Sequence, residues 1–144
     1  MSLATIKGIV FDKDGTLLDF HATWVPRAKA AVMAIAKGDQ ALAHTMLRAT
    51  GYDVEQARVI GGSILAAGNN HDIAQVWAPL GNQSVPEVEQ QLNDIFADEQ
   101  YGASVPVKNL ASSLHKLADL GLVLGIATMD SEAGIDATLG NFNC

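Results

Sequence analysis

The chain lacks the covalent staples of small extracellular proteins. It has one cysteine, Cys144, so no intrachain disulfide can form, which fits a reducing compartment. Positive charge is scarce as well: nine Lys and Arg stand against 16 Asp and Glu, a formal charge of −7. Nucleic acid is a poor partner for such a surface, because phosphate backbones are held by clustered Lys and Arg. No apolar run, Leu120 to Ala127 included, approaches the ~20 residues that cross a bilayer. Prolines are few and charged residues make up 17%, which argues against disorder. The opening Met1-Ser2-Leu3-Ala4 carries no charged, apolar leader, so a cytoplasmic protein with neither nucleic acid nor membrane as partner is expected.

What is present is a core-forming composition, 49% hydrophobic over 144 residues, enough to fold without staples. Thr5 to Phe11 is rich in β-branched and aromatic residues and reads as a buried strand running into Asp12-Lys13-Asp14-Gly15-Thr16. From about Ala22 to Tyr101 the texture is helical. Trp24, Val25, Ala28, Ala31, Val32 and Ile35 recur at helical spacing before Gly38, and Leu42, Met46 and Ala49 do so before Gly51. Asp53 with Gln56 predicts a capping box for a third helix. Short helices are predicted over 63–67 and 72–80, and a longer one from Pro86 to about Glu99. No strand is predicted in this stretch. After Gly102 comes a helix carrying Leu110, Leu114 and Leu117, then a second buried strand, Leu122 to Ala127, and a last helix from Ser131 to Leu139.

Strands separated by helices imply a parallel sheet. The connection from Asp19 to Ala103 is far longer than an ordinary crossover and reads as an inserted helical subdomain. The fold class expected is therefore α/β. It combines a Rossmann-like parallel-sheet core over 1–18 and 104–144, incomplete in this chain, with an all-α cap subdomain over 19–103.

In open α/β sheets ligands sit beyond the carboxyl ends of the strands, where Asp12, Asp14 and Thr128 fall. Residues i and i+2 of an extended chain point the same way, so both carboxylates can face one pocket. Neighbouring carboxylates repel unless a cation lies between them or one takes a proton, and Mg²⁺ suits oxygen ligands. Gly15 allows a sharp turn that leaves the amides of Asp14, Gly15 and Thr16 free to meet an anion.

The string Phe11-Asp12-Lys13-Asp14-Gly15-Thr16-Leu17-Leu18-Asp19 resembles the first signature motif of the haloacid dehalogenase superfamily. Ile126-Ala127-Thr128-Met129-Asp130 resembles its second, a strand ending in Thr or Ser. A helical insert directly after the first motif is similar to the subgroup that includes phosphoglycolate phosphatase-like enzymes and β-phosphoglucomutase. The resemblance implies that Asp12 is the nucleophile that forms an aspartyl-phosphate and Asp14 the general acid/base. It implies Mg²⁺ held by the Asp12 side chain and the Asp14 backbone carbonyl, and phosphate oxygens held by Gly15, the Thr128 hydroxyl and the Met129 amide. An Asp at position 14 points to phosphoryl transfer rather than dehalogenation. The activity implied is hydrolysis of a small phosphorylated metabolite, phosphoglycolate or a sugar phosphate among the plausible ones. A phosphomutase and a non-catalytic binding or regulatory module are the alternatives.

The family also supplies a Lys or Arg and an acidic pair after the second motif. The residues after Thr128 contain no Lys or Arg, and Asp130, Glu132 and Asp136 lie where helix starts attract acids. The chain therefore reads as truncated, cleaved or partly described, with little or no phosphatase turnover expected of it. Lys13 is read as the variable middle position, pointing away from Asp12 and Asp14. His44 and His115 are expected on helix surfaces, His21 at the hinge into the helical block, and Trp24 and Trp77 packed within it.

Overall fold

A computed structural model describes residues 5–130 and 132–140; Ser131, the first four residues and the last four, Cys144 among them, lie outside this description. Two strands, β1 (Gly8–Asp12) and β4 (Val123–Ala127), pair in parallel. Between and after them run α1 (Phe20–Ile35), α2 (Gln40–Ala49), β2 (Tyr52–Asp53), β3 (Arg58–Val59), α3 (Ile64–Ala67), α4 (Asn70–Leu80), α5 (Val85–Ala97), α6 (Leu110–Asp119) and α7 (Glu132–Leu139). The chain divides into two compact units, one of Met1–Phe20 with Ser104–Cys144 and one of His21–Ala103. It is a mixed α/β structure with a small parallel sheet. Among the described residues no helix is long and apolar enough to cross a membrane.

In the first unit the register of β1 on β4 runs from Gly8 opposite Val123 to Asp12 opposite Ala127. Both strands therefore stop at the same level, and the polar residues that follow each emerge side by side. The chain after β1 folds back at once. The Lys13 carbonyl accepts hydrogen bonds from the amides of Leu17 (2.9 Å) and Leu18 (3.1 Å), and the Gly15 amide donates to the Leu18 carbonyl at 2.9 Å. Gly15 sits at φ +83°, a left-handed conformation that a side chain would strain. Leu17 and Leu18 are buried and dock the loop on the segment before α6: Asp19 N–H donates to the Val105 carbonyl (2.8 Å) and Val107 N–H to the Leu17 carbonyl (2.9 Å).

The second unit is built around a core from α1, α2, α4 and α5, with Val32, Ile35, Met46, Trp77, Val88 and Leu92 almost completely buried. Trp77 is its largest member. Burying such an aromatic removes about 150–250 Å² from water, worth roughly 4–6 kcal/mol by area. Its indole N–H donates to the Met46 carbonyl (2.9 Å) and Thr50 hydroxyl oxygen (3.2 Å), so α4 is fastened to the end of α2 with no polar group left over. Arg27 is buried in this unit, which its charge did not foretell. Its guanidinium donates to the carbonyls of Gly102 (2.8 Å) and Phe96 (2.7 Å) and lies over the Trp24 ring, closing the carbonyl end of α5 with a cation.

One predicted helix is absent. Around Asp53 the chain forms instead a short antiparallel pair, Tyr52 with Val59 and Asp53 with Arg58, which also corrects the expectation of no strand in this stretch. The Asp53 carboxylate does accept the amides of Glu55 and Gln56, as a cap would. Ala57 then adopts φ +52°, and the chain reverses instead of continuing helically; an Asx turn and an N-cap share the same first hydrogen bonds. His21 accepts the Val59 amide at Nε2 (3.0 Å), holding this hairpin to the start of α1.

Replacing Trp77 by Phe keeps an aromatic ring but leaves the indole partners unmet, and should destabilise the chain by about 1–3 kcal/mol in chemical denaturation; a loss below about 0.5 kcal/mol would contradict this role. At the start of α5, the Ser84 hydroxyl and amide both donate to Glu87 (2.7 and 2.9 Å), and the hydroxyl bond first, then the amide, holds the Glu87 carboxyl below its usual range. A carboxyl lowered by folding contributes stability above its unfolded pKa and loses it as pH falls through the folded value. Titration of Glu87 by NMR should therefore show a lowered midpoint that returns toward the ordinary glutamate value in Ser84→Ala.

Candidate active site

The candidate residues come from two strand ends and the loops beyond them. Asp12 closes β1 and is exposed, and its carboxylate has no hydrogen-bond or ion-pair partner among the described residues. A strand end suits such a group, since the ladder fixes its backbone while the side chain stays in water. Directly opposite, Ala127 closes β4 and Thr128 and Met129 follow it. The Thr128 hydroxyl oxygen accepts the Asp130 amide at 3.1 Å. That bond orients the hydroxyl and leaves its hydrogen available to donate. Met129 is 88% exposed, and its amide has no partner among the described residues. Register thus brings Asp12, Thr128 and Met129 to one end of the sheet.

The loop amides are arranged differently from expectation. Gly15 N–H already donates to the Leu18 carbonyl, and Thr16 N–H points to the Lys13 carbonyl at 3.4 Å. Gly15 contributes the sharp turn at φ +83°, but its amide is engaged in closing that turn and is not open to an anion.

Lys13 requires the largest correction. Its side chain does not point away from the acidic pair: it is completely buried, and the ammonium lies 3.1 Å from Asp14 Oδ1 and 3.0 Å from Asp130 Oδ2. It also donates to the Thr138 hydroxyl oxygen at 3.2 Å. Lys13 lies beyond the end of β1, and its four-carbon stem is long enough to bring the head to its neighbour's carboxylate. A buried ammonium is tolerated only when paired, and here two carboxylates, each about a quarter exposed, meet that need. Asp130 is accordingly more than a residue at a helix start. Gly134 makes room for it: a Cβ there would collide with the Asp130 carboxylate.

The sequence contains one signal of this cluster, a lysine set between two aspartates directly after an apolar strand. Its other members, Asp130 and Thr138, are distant in sequence and become visible only once α7 is placed. The donor set around Asp12 and Asp14 is all oxygen, the chemistry that a hard divalent cation prefers. The Asp12 carboxylate and the Asp14 backbone carbonyl are the cation ligands that the resemblance implies, and Asp14 Oδ1 lies against the Lys13 ammonium. Among the described residues no group of three or more His, Cys, Asp or Glu side chains forms a cation cage.

Comparison with curated proteins and with solved structures gives no match. A family model does match, and it spans nearly the whole sequence, residues 6–143. It includes both strand ends and everything between them, and on this evidence the chain belongs to the haloacid dehalogenase-like hydrolases.

Proposed function

We propose that the chain carries the nucleophile, Asp12, and the cap, the helical unit His21–Ala103, of a Mg²⁺-dependent phosphatase that acts on a small soluble phosphomonoester through an aspartyl-phosphate; with no Lys or Arg after Thr128, little or no turnover is expected of the chain alone. The observation that carries the reading is the register of β1 on β4. It sets an unpartnered carboxylate beside an oriented hydroxyl and an open amide, at the strand ends where α/β sheets bind ligands.

In this reading the Thr128 hydroxyl and the Met129 amide donate to two phosphate oxygens and turn the phosphorus toward Asp12. The Asp12 carboxylate attacks phosphorus, and the bond from phosphorus to the ester oxygen breaks. Asp14 gives its proton to that oxygen, so an alcohol leaves and Asp12 carries the phosphoryl group. Water then attacks the same phosphorus, Asp14 takes back a proton, and Asp12 is released with inorganic phosphate. Mg²⁺, held by the Asp12 carboxylate and the Asp14 carbonyl, supplies charge neutralisation between two anions that otherwise repel.

The loaded state can be tested without turnover. Mg²⁺ with beryllium fluoride mimics a phosphoryl group on an aspartate, and binding to the folded state alone raises stability by about 2.7 kcal/mol at a hundredfold excess over Kd. A rise in melting temperature of several degrees is expected, dependent on both ions and lost in Asp12→Asn. Thr128→Val should weaken the effect about tenfold in apparent affinity, the worth of one charge-assisted hydrogen bond. No stabilisation of the unsubstituted chain would favour a non-catalytic module instead.

A further inference from the structure

We propose that Lys13 is a positioning residue, whose buried ammonium fixes the Asp14 carboxylate and ties the end of β1 to the turn between β4 and α7. The role rests on the reading of Asp14 as the general acid/base and goes beyond it, because the middle residue of the Asp-Lys-Asp string is given no role by that reading.

The geometry is that of a clamp. The Lys13 ammonium donates hydrogen bonds to Asp14 Oδ1 at 3.1 Å and Thr138 Oγ1 at 3.2 Å and forms an ion pair, without hydrogen-bond geometry, with Asp130 Oδ2 at 3.0 Å. Thr138 is itself set to accept, since its hydroxyl donates to the Gly134 carbonyl at 2.7 Å. Both Lys13 and Thr138 are buried, so water does not compete for these bonds. The three partners come from three places: the loop after β1, the residues after β4, and the last turn of α7. The cluster therefore joins the two strand ends that carry Asp12 and Thr128.

Asp14 needs such a hold. It is followed by Gly15 at φ +83°, its side chain is about a quarter exposed, and an unrestrained carboxylate there would sample several rotamers. Lys13 grips one oxygen of that carboxylate, Oδ1. A displacement of about 1 Å in an acid/base group slows its step by up to ~100-fold. The Asp130 carboxylate lies against Gly134, where a side chain would have to displace it.

The test separates positioning from folding. Lys13→Met keeps an unbranched side chain only one atom shorter and removes its charge. Two quantities are compared with the unsubstituted full-length chain: stabilisation by Mg²⁺ and beryllium fluoride, which depends on Asp12, and decay of phosphoryl-Asp12 after loading with acetyl phosphate, whose acetate leaves without an acid. The fluoride complex should keep its affinity within about twofold, while decay slows about 10–100-fold, in the direction of Asp14→Asn. Unchanged decay, or a fluoride affinity that falls in proportion with it, would overturn the role. If Lys13→Met has no cooperative melt, Asp130→Asn replaces it: it keeps Lys13 but loosens the clamp, and decay should slow about 3–10-fold, with an unchanged rate again refuting the role. An unsubstituted chain that fails to trap or to load overturns the phosphatase reading and this role together. One that does both, with Lys13→Met and Asp130→Asn unaffected, overturns the clamp alone.

Discussion

The parallel register of β1 and β4 is the constraint from which the rest of the candidate site follows. A shift by one residue would turn every side chain of one strand to the opposite face. It would separate Asp12 from the level of Ala127 and carry Thr128 away from it. Parallel strands cannot be joined by a tight turn, and the whole helical unit lies in the connection between them. The register is held locally by the five paired residues and, beyond the strand, by the loop bonds of Leu17 and Leu18 to the segment at Val105–Val107. Those two leucines are where hydrophobic burial and site geometry meet: the side chains that anchor the loop also set the direction in which Asp12 and Asp14 leave the sheet.

Electrostatics then finish what the register begins. Two strand ends that each carry carboxylates repel one another. The protein places a cation between two of these groups, Asp14 and Asp130, by burying Lys13 beneath them. An apolar residue at position 13 would avoid the desolvation of an ammonium, but it would leave the two acids facing each other. Asp12 is left outside this internal neutralisation, exposed and without a partner among the described residues. That asymmetry between neighbouring carboxylates, one held and one open, is the kind of difference in surroundings that lets two acids of the same type take different roles.

Much of this was legible in the sequence. Both strands of the sheet and the helices α1, α2, α4, α5, α6 and α7 follow from hydrophobic period and from caps, although the strands, expected to be buried, leave Val10 and Val123 70% and 75% exposed. Ser84, Asn69 and Ser63 each accept a backbone amide where their helices begin. The motif strings and their order pointed to the family that the whole-chain match shows. The hairpin at Asp53 was misread because its local hydrogen bonds are those of a helix start, and the difference lies in the positive φ of Ala57, which alanine does not advertise. Lys13 was misread for a different reason, and the burial of Arg27 gave no signal in the sequence. Charged residues are normally solvated, and burial of either depends on carbonyls or carboxylates contributed by segments far away in the chain. The closed amide of Gly15 was hidden for the same reason, since its acceptor is set by how Leu18 docks.

The central claim is that the Asp12 carboxylate receives a phosphoryl group, and chemical capture of the acyl phosphate tests it most directly. Borohydride reduces an aspartyl-phosphate to homoserine, which peptide mass spectrometry can locate. After loading with Mg²⁺ and acetyl phosphate, the account predicts homoserine at position 12 and an unchanged aspartate at position 14. Homoserine at position 14, or at neither position, would contradict it.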